Sequence, residues 1–288
     1  MNAIHLSQSG SNGKWSDVPT RSVDAAGTAF AYRRLGPTAG VPLIMLNHWG
    51  AVLDNFDPRI VDGLAAMRTV IALDYRGVGA SGGKAPLTVA ETADDVIAVI
   101  RAFGFAEVDL LGFSLGGFVA QDIVLKEPSL VRKVILTGTG PAGGEGIDRV
   151  GPVSWPLIIK ALLTFHDPQY YLFFTSTANG RRAADAFLKR LRERKVDRDR
   201  SIAVTTFLRQ LKAIHAWGRQ APQDLSAVKK PVLVANGDQD KMVPSSNSVD
   251  LARRLPNAEL VLYEDAGHGG IFQYHEAFVR KAIEFLGR

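Results

Sequence analysis

The feature that most constrains this chain is the run Val108-Asp109-Leu110-Leu111-Gly112-Phe113-Ser114-Leu115-Gly116-Gly117-Phe118. An apolar, strand-like stretch enters Gly-x-Ser-x-Gly, and a helix-like stretch, Leu115 to Lys126, leaves it with no linker between. So abrupt a turn presses the residues two before and two after the serine against neighbouring backbone, where glycine fits. Ser114 is then forced into a strained conformation with its hydroxyl projecting above the sheet. The helix that begins at Leu115 aims its N-terminus, and the Leu115 N–H, at whatever that hydroxyl attacks. The plain alternative is a glycine-rich turn whose serine only caps a helix. With 28 glycines in 288 residues, the surroundings of the motif have to decide.

A serine hydroxyl is a poor nucleophile at neutral pH and needs a base to take its proton and an acid to orient that base. Residues 231–244 hold a short apolar run that reads as a buried strand, ended by Asn236-Gly237-Asp238. Asp238 and Asp240 both sit in the loop beyond it, and Asp238 reads as a turn former that bonds nearby backbone N–H groups. Residues 260–270 hold a further strand ending near Glu264, and His268 follows in a glycine-rich loop. Of the six histidines, His268 alone follows a terminal strand with glycines on both sides. His5 lies in a polar leader, and His275 is expected to face out from the last helix. His166 and His215 read as structural or surface residues, with a place in a pocket wall as the other reading.

These segments, with Asp74-Tyr75-Arg76-Gly77-Val78-Gly79-Ala80-Ser81, resemble the α/β-hydrolase superfamily from about Ala26 to Leu286. The resemblance implies a triad in the chain order nucleophile, acid, histidine. It places the acid at the last position of Gly-x-x-Asp shortly before Val-Pro, which makes the triad Ser114, Asp240 and His268. It also implies a second oxyanion donor beside Leu115, from the loop after an early strand, here Pro42 to Gly50. Trp49 stands where glycine is usual and Gly50 follows, so either backbone N–H is expected to serve. His48 is expected to stabilise that loop, and Trp49 either walls an acyl pocket or packs inward. Gly77-Val78-Gly79 lacks the later glycine and acid of a dinucleotide loop and reads as a turn.

The coarse pattern is strand-rich near Thr28 to Leu35, with strands at 42–47, 68–73, 107–111, 133–137, 231–236 and 259–263. Between several of them lie helical patterns, such as 88–103 with Thr88 as N-cap. The alternation implies an α/β fold, a mostly parallel central sheet covered by helices on both faces. The rhythm breaks after the glycine-rich stretch 137–144 and resumes near Asp224. By resemblance this is a helical cap insertion, dividing the chain into core 1–139, cap 140–224 and core 225–288. Trp155, Phe165, Tyr170, Tyr171, Phe173, Phe174, Phe207 and Trp217 are expected to build the cap's core, a few of them facing Ser114.

No apolar run approaches the ~20 residues needed to span a bilayer, and Met1 to Asp17 lacks the apolar stretch of a secretion signal. The chain has no cysteine, hence no disulfide, thiolate metal site or cysteine nucleophile, which fits a cytoplasmic location. Net charge is +5, with a basic cluster at 181–182 and 189–200 that reads as a solvated helix face broken up by Glu193, Asp197 and Asp199. No aromatic interleaving accompanies it, so no nucleic-acid partner is expected. The resemblance implies a cofactor-free, metal-free serine hydrolase of carboxylic esters or lactones (class EC 3.1.1), with a small apolar acyl or aromatic substrate. A carbon–carbon bond hydrolase of ring-cleavage products would use the same triad. The chain also resembles the non-heme haloperoxidase-like and perhydrolase-like members, so perhydrolase or haloperoxidase-type activity would be a side activity of the same acyl-enzyme, and a non-catalytic binding module is the reading from a different class. A serine at 114 argues against the relatives that use aspartate there, the haloalkane dehalogenases and most epoxide hydrolases.

Overall fold

A computed structural model describes residues 13–288. The order is β1 (Arg21–Ala25), β2 (Thr28–Leu35), β3 (Leu43–Leu46), α1 (Pro58–Ala65), β4 (Val70–Leu73), α2 (Val89–Ala102), β5 (Val108–Phe113), α3 (Leu115–Lys126) and β6 (Val131–Thr137). Then come α4 (Val150–Leu163), α5 (Pro168–Phe173), α6 (Ala178–Leu191), α7 (Val204–Gly218), β7 (Val232–Gly237), α8 (Ser246–Arg254), β8 (Ala258–Tyr263), α9 (Gly270–Gln273) and α10 (His275–Gly287). The strands form one sheet in the order β1-β2-β4-β3-β5-β6-β7-β8. β1/β2 and β2/β4 pair antiparallel, and every later pair is parallel.

The central strands are buried along their whole length, as expected where helices cover both faces. α1 packs on α10 and α2 on α3. Local chemistry starts these helices. Asp57 accepts the Arg59 N–H ahead of Pro58 in α1, and Thr88 and Glu91 close a capping box on α2. Strand order reverses at β3, which has β4 on one side and β5 on the other. Such a switch point opens a crevice beyond the carboxyl ends of the strands.

The expected strands agree with the observed ones to within a few residues. The sequence reading missed β1, whose alternating burial marks an edge strand hairpinned to β2 through Ala26 and Gly27, both at positive φ. It also read the leader as polar, yet Trp15 is buried against Phe56. His5 lies outside the described residues.

The basic cluster differs most from expectation. α6 ends at Leu191, and 192–203 is irregular. Arg190 and Arg194 are buried instead of solvated. Arg190 pairs with Asp57, while Arg194 donates to the carbonyls of Ser16 and Val18 and pairs with Asp197. Glu193 pairs with Arg59, and Asp199 with the fully buried Arg33 of β2. Apart from Asp197, the residues that compensate these charges lie far away in sequence, so local charge alternation could not reveal the burial.

α4 to α7 lie between β6 and β7 as a helical insertion. Two of its hydrogen bonds reach the loop after β8, from Thr177 to Asp265 and from the Gly269 N–H to the Phe173 carbonyl.

Candidate active site

Ser114 sits at φ 56°, ψ −116°, between the last residue of β5 and the first of α3. That conformation costs a non-glycine residue about 1–3 kcal/mol and persists only when the surroundings impose it. Here they do. The Ser114 N–H donates to Thr137 O at 2.9 Å, and Thr139 Oγ1 donates to Ser114 O at 3.0 Å, tying the elbow to β6. A Cβ on Gly112 would stand 2.3 Å from Gly116 O, and one on Gly116 2.1 Å from Leu46 O. Only glycine lets α3 leave the sheet so close to β3.

Asp240 follows β7, and its carboxylate is buried with four donors. Oδ1 accepts the N–H groups of Met242 and Val243 at 2.9 and 3.0 Å. Oδ2 accepts Asn236 Nδ2 at 3.1 Å and lies 2.8 Å from His268 Nδ1. A carboxylate oxygen there places the ring proton on Nδ1 and leaves Nε2 as the acceptor. Among the described residues, His268 Nε2 is buried with no partner. The ring is held between Phe113 and Phe173, with centroids at 5.0 and 5.5 Å.

Asp238, by contrast, is exposed and accepts the Ala266 N–H at 3.2 Å. It was expected to bond its own turn, but its partner lies on the loop leading to His268.

The loop after β3 brings Trp49 and Gly50 to the same place. Asn47 Oδ1 accepts the His48 N–H at 2.9 Å, and the Ala51 N–H donates to His48 O at 3.4 Å. Val52 N–H donates to Asn55 Oδ1 at 2.9 Å, and the Gly50 N–H to Gln210 Oε1 at 2.9 Å. Among the described residues, the Trp49 N–H alone of this loop's amides from His48 to Val52 has no partner. The Leu115 N–H likewise has none. The Trp49 indole stacks on Phe207, with centroids at 4.2 Å, and its Nε1 donates to Phe207 O at 2.8 Å. It therefore both packs against the insertion and walls the cavity.

His48 Nδ1 lies 2.8 Å from Trp49 O, so it carries the proton and braces the loop as expected. Burial pushes its pKa down to about 3, with nearby His268 adding to the effect and the carbonyl bond opposing it. His166 is exposed beside a shallow groove, His215 is half-buried on α7, and neither lines the cavity. His275 is half-buried near Arg190 and Asp57 rather than facing out.

Ser114, His268, His48, Trp49 and Gly50 line one cavity of about 800 Å³ beneath the insertion. Trp155, Ile158, Leu172, Phe173, Phe207 and Leu208 give it an apolar wall. Another part is polar, with Gln169, Arg192, Arg198, Asp199 and Ser201. Phe165, expected in the insertion's core, is almost fully exposed. Among the described residues, no group of three or more His, Asp or Glu side chains is arranged to hold a metal ion, and no helix is long and apolar enough to cross a membrane.

Sequence reasoning missed Asn236, which steadies Asp240, and Gln210, which holds Gly50. Asn236 is the penultimate residue of β7, four residues before the acid, a spacing that could have drawn attention to it. Gln210 carries no signal, since a glutamine on an amphipathic helix is ordinary.

The family model for the α/β hydrolase fold matches residues 41–273. The chain belongs to the α/β-hydrolase superfamily. An α/β hydrolase fold protein from Chitinophaga pinensis has 36% identity and a TM-score of 0.89, over 95% of this chain and 99% of that one. A 2-hydroxy-6-oxononadienedioate/2-hydroxy-6-oxononatrienedioate hydrolase of Escherichia coli strain K12 is 28% identical over 83% of this chain and 82% of its own length. A pimeloyl-[acyl-carrier protein] methyl ester esterase of Neisseria meningitidis is 27% identical over 88% of this chain and 96% of its own.

Proposed function

We propose that this chain is a serine hydrolase of carboxylic esters or lactone-type small molecules (class EC 3.1.1), working through a covalent acyl-enzyme. The observation that carries the reading is the buried Asp240–His268 pair, whose unpartnered Nε2 belongs to a ring lining the same cavity as Ser114. In this reading His268 Nε2 takes the Ser114 proton as Oγ attacks the carbonyl carbon. The Leu115 and Trp49 N–H groups hold the oxyanion, and Asp240 stabilises the imidazolium. The tetrahedral species collapses, the alcohol leaves with the proton from His268, and acyl-Ser114 remains. Water then gives a proton to His268 and its oxygen to the acyl carbon, which frees the acid and restores Ser114.

Residues 140–224 serve in this reading as a cap, and its apolar wall favours an apolar acyl or aromatic group. The polar part of the cavity, with the similarity to the dienedioate hydrolase, supports a second reading: carbon–carbon bond hydrolysis of an acid-bearing substrate by the same triad. The test is turnover of p-nitrophenyl esters from acetyl to octanoyl, with Ser114→Ala alongside and a fluorophosphonate probe for labelling. Turnover lost in the variant is the expected result. Labelling of Ser114 without turnover favours the second reading. Neither labelling nor turnover overturns both.

A further inference from the structure

The peptide unit joining Trp49 to Gly50 is held at both ends. His48 Nδ1 bonds its carbonyl at 2.8 Å, and Gln210 Oε1 accepts its N–H at 2.9 Å. Gly50 stands at φ +77°, where a glycine-linked peptide turns over at little steric cost. Turning it over would exchange the directions of its N–H and C=O and alter the torsion that orients the neighbouring Trp49 N–H. Gln210 is buried on α7 of the helical insertion and does not line the cavity. Among the described residues its Nε2 has no partner, and the one hydrogen bond of its side chain is the one to Gly50. α7 makes a second bond to the same loop, from the Trp49 indole to Phe207 O.

We infer that Gln210 is a positioning residue for the oxyanion site: with His48 it clamps the Trp49–Gly50 peptide, occupies the Gly50 N–H and leaves the Trp49 N–H as the donor facing Ser114. The insertion thereby sets the geometry of the reaction centre as well as covering it. The clamp acts on the transition state, because the oxyanion needs its donors in place only once the tetrahedral species forms. Its loss lowers kcat and leaves KM nearly unchanged.

This inference rests on the serine-hydrolase reading, and the experiment separates the two. Gln210→Leu removes the acceptor at similar size. Gln210→Glu keeps an oxygen at the acceptor position and replaces an Nε2 that bonds nothing. We expect Gln210→Leu to lower kcat on the best p-nitrophenyl ester by about 10- to 100-fold, short of the full loss of a donor. KM should stay within about twofold. The rate of fluorophosphonate labelling and the affinity for a trifluoromethyl ketone, which forms a tetrahedral oxyanion on serine, should fall in parallel. Gln210→Glu should restore kcat to within about threefold. Should Gln210→Leu fail to fold, Gln210→Asn, which withdraws the acceptor by one methylene, should show the same kcat loss. Unchanged kcat and labelling in a folded Gln210→Leu or Gln210→Asn, or a loss confined to KM, overturns the clamp while the hydrolase reading stands. Turnover and labelling that survive Ser114→Ala overturn the hydrolase reading itself.

Discussion

Arg190 and Asp57 form a buried ion pair between α6 and the start of α1, with Nη2–Oδ2 at 2.6 Å and Nε–Oδ1 at 3.0 Å. The same guanidinium donates to Phe272 O at 3.0 Å, one turn after the loop that carries His268, and the same carboxylate caps α1. One pair therefore joins the helical insertion, α1 and α9. Removing one partner of a buried pair leaves a desolvated charge alone and costs about 3–5 kcal/mol. Arg190→Met should lose that much in urea unfolding. Arg190→Met with Asp57→Leu should lose less than the sum of the two single changes. A loss under about 1 kcal/mol for Arg190→Met would show that water reaches Asp57 and screens it.

The two carboxylates after β7 differ in what they hold. Asp240 has four donors, one of them the His268 ring. Asp238 holds only the Ala266 backbone. An amide at 240 would present the wrong group to Nδ1 and favour the wrong imidazole tautomer, a change worth about 10³–10⁴ in kcat in a triad. Asp240→Asn should show that loss in ester turnover, and Asp238→Asn less than about threefold. The reverse order would move the acid to 238.

What could be read in advance follows from how local each constraint is. The elbow was legible because its glycines answer to backbone within a few residues and to the neighbouring β3. His268 was legible because a glycine-flanked loop after the last strand is a local pattern. The partnering of Arg190 with Asp57, Arg33 with Asp199 and Gly50 with Gln210 spans more than a hundred residues in each case. No periodicity carries such pairings, so buried cations read as a solvated face and the brace on the Gly50 amide stayed hidden. Telling the free Trp49 N–H from the occupied Gly50 N–H needed every amide of the loop traced to its partner, which only coordinates allow.

Two groups make opposing contributions to stability between about pH 4 and 6. His48, pushed down to about 3 by burial, stays neutral when folded, while the unfolded chain protonates it below about 6.5. Its contribution is present near neutrality and is lost as pH falls. Asp199 is raised to about 6, first by burial and further by neighbouring Asp54, against the pull of Arg33. The folded state then holds a proton that the unfolded state has released above its ordinary value of 3.8, so this contribution is present below 3.8 and is lost as pH rises through 6. Asp54 is itself lowered, and its contribution is lost only below the ordinary carboxylate range. Asp199→Asn removes the second effect and keeps the first. Urea unfolding at pH 4.5 and 6.5 should therefore show a larger gain of stability with pH in the variant than in the wild type. An equal or smaller gain would mean that Asp199 is charged throughout.

The glycines divide by what surrounds them, and two substitutions test the division. Gly104 ends α2 at φ +76° with nothing within 4 Å of the place a Cβ would take. Gly104→Ala therefore meets only the left-handed backbone penalty, about 1–2 kcal/mol. Gly116 has ordinary φ, but its Cβ would lie 2.1 Å from Leu46 O and 2.5 Å from Leu46 C. Both sides of that contact are backbone of α3 and β3, and β3 is pinned on either side by β4 and β5. Neither can move without carrying Ser114 or the Trp49 loop with it. Gly116→Ala should therefore exceed the cost of Gly104→Ala by at least about 2 kcal/mol, in the range of overpacked cores. In any protein that still folds, fluorophosphonate labelling of Ser114 should slow more than stability alone would require, since the displaced strand and helix lead to the Trp49 and Leu115 N–H groups proposed to hold the oxyanion. Equal unfolding free energies for the two variants would show that α3 can draw back from β3 after all.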